Sequence, residues 1–344
     1  MVFDCHSDLF TDVTVKTLKG ERNIIKNHHL KDLQQGGLIG GIYVIWIDPP
    51  YDKSPEKRAK QIVESLTQEI KSNSDIINQI KDYSDFEKGL KENKLNIMVG
   101  IEGLSHIGED VDKLHYFHDV VGARHASLTW NEQNALATGV GGDPTRGLTE
   151  TGKKAVKKLE ELKMLVDVSH ANEKTFWDIM DVATGPVIAS HSNAKHFSSH
   201  KRNLTDDQIK AIAQSGGIIG MNGYKEFVSD KNPETASVKN LVDHIDYIAD
   251  LVGIEHIACG FDYSGFIDAD CLSAFSCDTS NPNVEGLKVF TDTPNLIKEL
   301  QNRGYSKDEI DAIGYKNAFR VIKQVIGIPN LQTCLLYTSD AADE

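Results

Sequence analysis

Six residues with side chains that can bind metal each stand at or just after the end of a short apolar segment: His6, Asp8, Glu102, His170, His191 and Asp262. Imidazole nitrogens suit zinc, and carboxylates can bridge two divalent ions. Two neighbouring ions would turn a water molecule into a strong nucleophile near neutral pH and would stabilise the developing oxyanion. A carboxylate that is not a ligand, such as Asp262, would then handle the proton.

The first two of these residues have a spacing that suits a shared task. Side chains alternate between the two faces of a strand, so His6 and Asp8 would point to the same side. A single histidine at a strand end is usually a structural residue. Six metal-competent residues at the same end of their strands are hard to explain in that way, and together they favour a metal site.

The elements that must position these residues are short apolar segments rich in β-branched residues. Eight of them are typical of strands buried on both faces: residues 1–5, 39–47, 95–102, 125–130, 164–170, 186–192, 217–222 and 256–262. Helical patterns lie between most of them, at 55–82, 109–121, 149–163, 172–183, 205–214 and 237–252. Thr149 is an expected N-cap, and Thr205 with Gln208 is an expected capping box.

This alternation predicts an α/β fold, a (β/α)8 TIM-type barrel with extra C-terminal helices. A helix near 84–91, a loop at 263–285 and helices at 293–327 would decorate the barrel. The carboxyl ends of barrel strands meet on one face, which holds the active site. A doubly wound open sheet is the alternative fold, although no GxGxxG motif follows the first strand to support a dinucleotide site.

Composition excludes some functions and suggests a location. The 344 residues carry a net charge of −14, which argues against a nucleic-acid-binding surface. The five cysteines make an odd count without a CxxC pair, and no apolar run reaches the roughly 18 residues of a membrane span. We expect one cytoplasmic domain over residues 1–328, with no membrane partner. Residues 334–344 look like a translated sequencing-adapter tail and are expected to be non-native.

Longer motifs point to one family. They are HSD at 6–8, GIEG at 100–103, GLTETGKKAVKKLEELKMLVDVSH at 147–170, PVIASHS at 186–192, KRNLTDDQIKAIAQSGGIIGMN at 201–222 and GFDYSG at 260–265. With these motifs the chain resembles the membrane (renal) dipeptidase family, zinc peptidases of the amidohydrolase (β/α)8 type. The resemblance runs from about residue 3 to 325, and the stretch from 147 to 222 is its most specific part.

The resemblance implies a metal centre with two Zn²⁺ ions per chain. His6 and Asp8 would bind one ion, and His170 and His191 would bind the other. Glu102 would bridge both, with a hydroxide between the ions as the nucleophile. The substrates would be small dipeptides, including those with a C-terminal D-residue.

The resemblance also implies roles for three further residues. Asp262 would orient the attacking water and pass its proton to the leaving amine. Arg202 would pair with the carboxylate of the substrate, a task suited to a planar guanidinium. Tyr224 stands at the position of an aromatic pocket residue. Members of this family commonly form dimers, so a homodimer is expected.

Two positions depart from the family pattern. Trp130, in SLTWN, stands where the family usually has a histidine that helps to hold the substrate carbonyl, and an indole cannot carry a positive charge. Ser264 replaces a second acidic residue after Asp262, with little expected effect. Trp130 leaves open an alternative function, a barrel amidohydrolase acting on N-acyl amino acids or cyclic amides. A non-catalytic metal-binding barrel is a third possibility.

Other polar residues carry weaker expectations. Asp48, at the end of the second strand, is expected to face the same rim of the barrel, and His106 is a candidate for supporting Glu102. Ten histidines are assigned to loops or helix faces: His28, His29, His106, His115, His118, His125, His196, His200, His244 and His256.

Overall fold

The computed structural model describes residues 1–276 and 278–327, so the expected adapter tail at 334–344 lies outside the described residues. The strands are β1 Val2–Ser7, β2 Leu38–Trp46, β3 Ile77–Gln79, β4 Leu95–Glu102, β5 Ala123–Ser127, β6 Leu165–Asp167, β7 Val187–Ile188, β8 Ile219–Met221 and β9 Ile257–Cys259. The helices are α1 Leu9–Leu18, α2 Leu30–Gln35, α3 Pro55–Ser72, α4 Tyr83–Lys91, α5 Lys113–His115, α6 Glu150–Glu161, α7 Glu173–Val182, α8 Asp206–Gln214, α9 Lys225–Val228, α10 Val238–Val252, α11 Ala269–Leu272, α12 Pro294–Asn302, α13 Lys307–Asp311 and α14 Asn317–Ile326.

Eight of the strands form the predicted barrel. They pair in parallel in the order β7, β6, β5, β4, β2, β1, β9, β8. The residues next to β7 close the circle, because the Ala189 amide donates to the Ile218 carbonyl at 3.0 Å and the Ala189 carbonyl accepts from the Gly220 amide at 2.8 Å. The alternative of a doubly wound open sheet is therefore wrong.

The ninth strand, β3, was not expected from the sequence. The helix predicted over 55–82 ends at Ser72, and β3 follows it. β3 pairs with the first half of β4, Leu95–Ile97, whereas β5 pairs with the second half, Val99–Glu102. One edge of β4 thus serves two strands, and β3 extends the sheet without entering the barrel.

Apolar side chains fill both sides of the barrel wall, as expected for parallel strands covered by helices. Every residue of β4 is buried. Inside, residues from several strands form one cluster, among them Phe3, Ile42, Met98 and Ala258. The extra C-terminal helices contribute to this cluster, because Phe319 of α14 packs on Phe3 with ring centroids 5.5 Å apart.

Two predicted caps fix helices next to the site. The Thr149 side chain accepts from the Gly152 amide at 3.0 Å and begins α6. Thr205 and Gln208 form the reciprocal capping box of α8, with bonds of 2.9 and 3.3 Å. Among the described residues, no helix is both long and apolar enough to cross a membrane.

Candidate metal centre and substrate cavity

Five of the predicted metal ligands meet at the carboxyl ends of the barrel strands. Glu102 Oε1 lies 2.9 Å from His170 Nε2, 3.4 Å from His191 Nε2 and 3.5 Å from His6 Nε2. His6 Nε2 is also 3.5 Å from Asp8 Oδ2. All five side chains are buried. The structure therefore brings together, around one carboxylate oxygen, residues that are up to 185 positions apart in the sequence.

Local backbone irregularities aim these side chains. Between Asp4 and Ser7 the pairing of β1 with β2 slips by one residue, a bulge that redirects the strand just where His6 stands. His170 and Asp262 have φ values of 69° and 58°, in the left-handed region that non-glycine residues rarely adopt. Such strain is costly and clusters at functional sites, because only the surrounding structure holds it in place.

The atoms at this centre fit divalent cations. Two sets of three potential ligand atoms are compact enough to hold an ion, because the atoms within each set lie within 4.8 Å of one another. One set belongs to His6, Glu102 and His191, and the other belongs to His6, Asp8 and Asp262. Glu102 Oε1 and Asp8 Oδ1 are buried and accept no hydrogen bond from the described residues. Buried acceptors of this kind are costly unless they are paired or coordinate a metal. Mixed nitrogen and oxygen ligands are the usual set for zinc.

The buried carboxylates of the centre also favour a positive charge close to them. Burial alone would lower the pKa of His6, but the carboxylates of Glu102 and Asp8 raise it to about 10. Burial raises the pKa of Glu102 well above its usual range. Burial lowers the pKa values of His170 and His191, so both imidazoles stay neutral, as metal ligands must.

Several supporting side chains were missed in the sequence. Asn131 Oδ1 lies 2.9 Å from His170 Nδ1, and Ser190 Oγ lies 2.8 Å from His191 Nδ1. Asn222 Nδ2 donates to Asp262 Oδ2 at 3.0 Å. The only available signal was position, because each of these residues lies beside a predicted site residue or just after a strand.

Asp262 lies at the edge of this group of ligands. Its Oδ1 is 3.8 Å from His6 Nε2, and its other oxygen is held by Asn222. Burial raises the pKa of Asp262 to about 6. A carboxyl group with a pKa near neutrality can both accept and donate a proton.

A cavity of about 290 Å³ opens over the centre and brings in the remaining predicted residues. Its walls include Arg202, Tyr224 and Trp130 together with Glu102 and Asp262. Tyr224 is buried and stacks on Phe227 with ring centroids 5.4 Å apart. This volume lies at the small end of the range of ligand pockets, which suits a small substrate.

Arg202 is 4% exposed and has unused hydrogen-bonding capacity. Nη1 donates to Ser192 Oγ at 3.3 Å and Nη2 to the His191 carbonyl at 3.1 Å. Nε finds no acceptor among the described residues, and no carboxylate of the described chain forms an ion pair with this guanidinium. A buried cation without a counterion is well suited to receive an anionic ligand.

Trp130 stands between this cavity and a second one. Its ring packs against Trp46 and Phe275, with centroids 5.4 and 5.5 Å apart. The second cavity, of about 510 Å³, shares Trp130 and Glu102 with the first and is also lined by Asp52 and Glu132. Among the described residues, its wall contains acidic side chains and no basic ones.

Three weaker expectations were wrong. Asp48 does not line either cavity but forms a buried bidentate ion pair with Arg58, at 2.7 and 2.8 Å. His125 lies inside β5 rather than on a loop or helix face, and its Nε2 contacts Asp167. His106 is buried against Phe117 and forms no hydrogen bond with Glu102.

Comparison with known proteins agrees with this geometry. The model of the family described as membrane dipeptidase (peptidase family M19) matches residues 1–332. The chain belongs to the membrane dipeptidase family. The resemblance drawn from the motifs is thereby confirmed, and family membership supports metal-dependent dipeptidase activity.

Curated relatives include dipeptidases. An uncharacterized protein in the pqqA 5' region of Klebsiella pneumoniae is 34% identical over 250 residues, which cover 70% of this chain and 86% of that protein. Dipeptidase aclJ of Aspergillus oryzae is 30% identical, with 67% of this chain and 52% of the fungal protein covered. The chain thus spans about half the length of that dipeptidase.

Solved structures show the same fold. A metallo peptidase from Rhodobacter sphaeroides, liganded with a phosphinate mimic of the dipeptide L-Ala-D-Ala, superposes with a TM-score of 0.83 at 22% identity, covering 94% of this chain and 99% of that one. The probable dipeptidase PvdM from Pseudomonas aeruginosa gives a TM-score of 0.74 at 21% identity, covering 86% and 88%.

Proposed function

We propose that this chain hydrolyses dipeptides at a centre of two zinc ions. His6 and Asp8 would hold one ion, His170 and His191 would hold the other, and Glu102 would be a ligand shared by both. The observation that carries the proposal is the position of Glu102 Oε1, a buried oxygen within 3.5 Å of three imidazole nitrogens. When bound, the zinc ions supply a Lewis acid and lower the pKa of coordinated water.

The side chains around the metal centre then have distinct tasks. Asp262, held by Asn222, takes the proton of the attacking water and gives it to the departing amine. Its raised pKa suits both halves of that transfer. Tyr224 and Trp130 line the cavity and limit where the substrate can lie.

The charges of the two cavities orient the substrate. The carboxylate of the dipeptide binds Arg202, whose free N–H groups match a planar anion. The N-terminal ammonium lies toward the second cavity, near the acidic residues Glu132 and Asp52. The liganded Rhodobacter sphaeroides peptidase supports a D-residue at the C-terminal position, since its ligand mimics L-Ala-D-Ala.

A related amidohydrolase activity on N-acyl amino acids is the second candidate, and Trp130 is the observation that favours it. An N-acyl amino acid keeps the carboxylate but lacks the ammonium. The acidic second cavity is therefore of use only to a substrate with a free amino group, which favours the dipeptide.

The test compares Ala-Ala, Ala-D-Ala and N-acetyl-alanine as substrates of the zinc-loaded protein. We expect hydrolysis of at least one dipeptide, with kcat/KM at least tenfold above that of N-acetyl-alanine. Preference for N-acetyl-alanine would support the second candidate. Absence of hydrolysis with all three substrates would contradict both.

A further inference from the structure

We propose that Asp167 and Ser190 are positioning residues that hold His191 in the one tautomer able to bind a metal through Nε2. This inference rests on the proposed zinc centre. Ser190 and Asp167 are buried directly behind His191, on the side away from Glu102. Both residues lie within the motifs at 147–170 and 186–192, but the sequence assigned neither of them a role.

The number of protons available at Ser190 fixes the tautomer of His191. Ser190 Oγ lies within hydrogen-bond distance of Asp167 Oδ2 and, at 2.8 Å, of His191 Nδ1. A carboxylate only accepts hydrogen bonds, so the single hydroxyl proton of Ser190 must point to Asp167. Ser190 is then left as an acceptor, and His191 Nδ1 must carry the proton. His191 Nε2 therefore keeps its lone pair, and it lies 3.4 Å from Glu102 Oε1.

Asp167 is held firmly as a carboxylate. One of its oxygens accepts from the backbone amides of Ser169 and Ser190, at 2.8 and 3.0 Å, and the other lies 2.9 Å from His125 Nε2. Burial alone would raise the pKa of Asp167, but the hydrogen bonds from His125 and Ser190 keep it well below its usual range. The Asp167 carboxylate, held in place by these hydrogen bonds, thus sets the direction in which the Ser190 hydroxyl donates.

The packing around His125 keeps this anchor in place. A Cβ atom built on Gly100 would lie 2.6 Å from His125 Nδ1, closer than real Cβ contacts. Glycine at position 100 therefore allows the imidazole to reach Asp167. Asp167, the last residue of β6, is bound by His125 of β5, by Ser169 just after β6 and by Ser190 just after β7, so the orientation of His191 depends on three neighbouring barrel strands.

Two substitutions distinguish a role in fixing the tautomer of His191 from a role in packing alone. In S190A the proton on His191 Nδ1 loses its acceptor, and the two tautomers become closer in energy. In D167N the new amide group can donate to Ser190, which then turns its proton toward His191 Nδ1 and favours the wrong tautomer. The other amide orientation would place NH₂ against the backbone amides of Ser169 and Ser190. Loss of such outer partners typically weakens metal binding by about 10- to 100-fold.

The experiment measures zinc affinity of the full chain by competition with a chromophoric chelator, after metal removal and a check of folding by circular dichroism. S215A is the matched control. Ser215 Oγ accepts from the Val187 amide, at the opposite end of the same β7 strand, and donates to the Ile212 carbonyl. S215A therefore also removes hydrogen bonds from a serine near β7 but leaves His191 untouched.

We expect S190A to weaken zinc binding by at least tenfold and S215A to change it by less than twofold. A folded D167N should be at least as weak as S190A; if D167N does not fold, S190A alone decides. Zinc affinity of S190A within twofold of the wild type would overturn the inference and leave the zinc centre intact. A wild-type chain that binds no zinc would overturn both.

Discussion

Replacing Arg202 with methionine should remove the recognition of the substrate carboxylate while leaving the metal centre in place. Methionine keeps an unbranched chain over the first part of the arginine side chain but has no charge and no N–H donors. Because Arg202 is buried without a counterion, its removal leaves no unpaired acidic partner behind. We therefore expect the variant to fold and to bind zinc like the wild type.

The size of the effect follows from the free donors of Arg202. A guanidinium has five N–H groups. Two of them are used, by Ser192 Oγ and the His191 carbonyl, which leaves three for a ligand. A bidentate carboxylate would take two, each contributing roughly 1.5–3 kcal/mol. The loss of both, roughly 3–6 kcal/mol, corresponds to a fall in kcat/KM of about 10²- to 10⁴-fold.

The assay compares Ala-Ala with its C-terminal amide, which has no carboxylate. R202M should lower kcat/KM for Ala-Ala by at least 100-fold but should change that for the amide by less than tenfold. K201M is the control, because Lys201 lines the same cavity one residue away and tests the effect of charge alone. An equal loss for Ala-Ala and its amide would refute the role assigned to Arg202.

Three further predictions test the metal, the pocket and the fold. Chelation should abolish hydrolysis and lower Tm, and zinc at 100 times its Kd should restore about 2.7 kcal/mol of stability for each ion bound; unchanged Tm and activity would contradict a metal centre. W130H should raise kcat/KM for Ala-Ala, because a histidine can stabilise the carbonyl oxygen that an indole cannot, and an unchanged value would count against that role of Trp130. Burial lowers the pKa of His244 to about 4 from 6.5, so its contribution to stability is complete above pH 6.5 and is lost as the pH falls toward 4. We expect the free energy of unfolding to fall by an amount on the order of 3 kcal/mol between these pH values. Urea unfolding across this pH range should show a smaller fall in H244Q, and an identical pH dependence in both proteins would show that His244 is not the cause.

The barrel could be predicted because its strands are local patterns. Each of the eight apolar segments is recognisable alone, and their alternation with helices leaves few topologies. β3 could not be predicted in the same way. Its three residues continue an amphipathic pattern without glycine or proline, and its pairing with Leu95–Ile97 is a contact distant in sequence. The sequence therefore favoured one long helix where the chain forms α3 and β3.

The predicted ligands converge because parallel strands end on one face, a rule that needs no coordinates. The residues that support the ligands could not be predicted, because their distances from the ligands in the fold do not follow from their spacing in the sequence. Nothing in the sequence distinguishes Ser190, just after β7, or Asp167, at the end of β6, until the fold places Ser190 against His191 and Asp167 against Ser190. Asp48 shows the opposite error, a residue that was predicted at the site but does not belong to it. Its position at a strand end suggested that it faces the active-site rim, but Arg58, ten residues later, forms hydrogen bonds with both of its carboxylate oxygens.

The two-zinc centre is tested by the zinc content of the wild type and of E102Q after equilibration with zinc and removal of the excess. Glu102 Oε1 lies closest to the three imidazoles, and an amide cannot bridge two cations as a carboxylate does. We predict two zinc ions per wild-type chain, together with chelator-sensitive hydrolysis of Ala-Ala, and at most one zinc ion per chain in E102Q. Less than one zinc ion in the wild type, or equal zinc content in both proteins, would contradict the proposed centre.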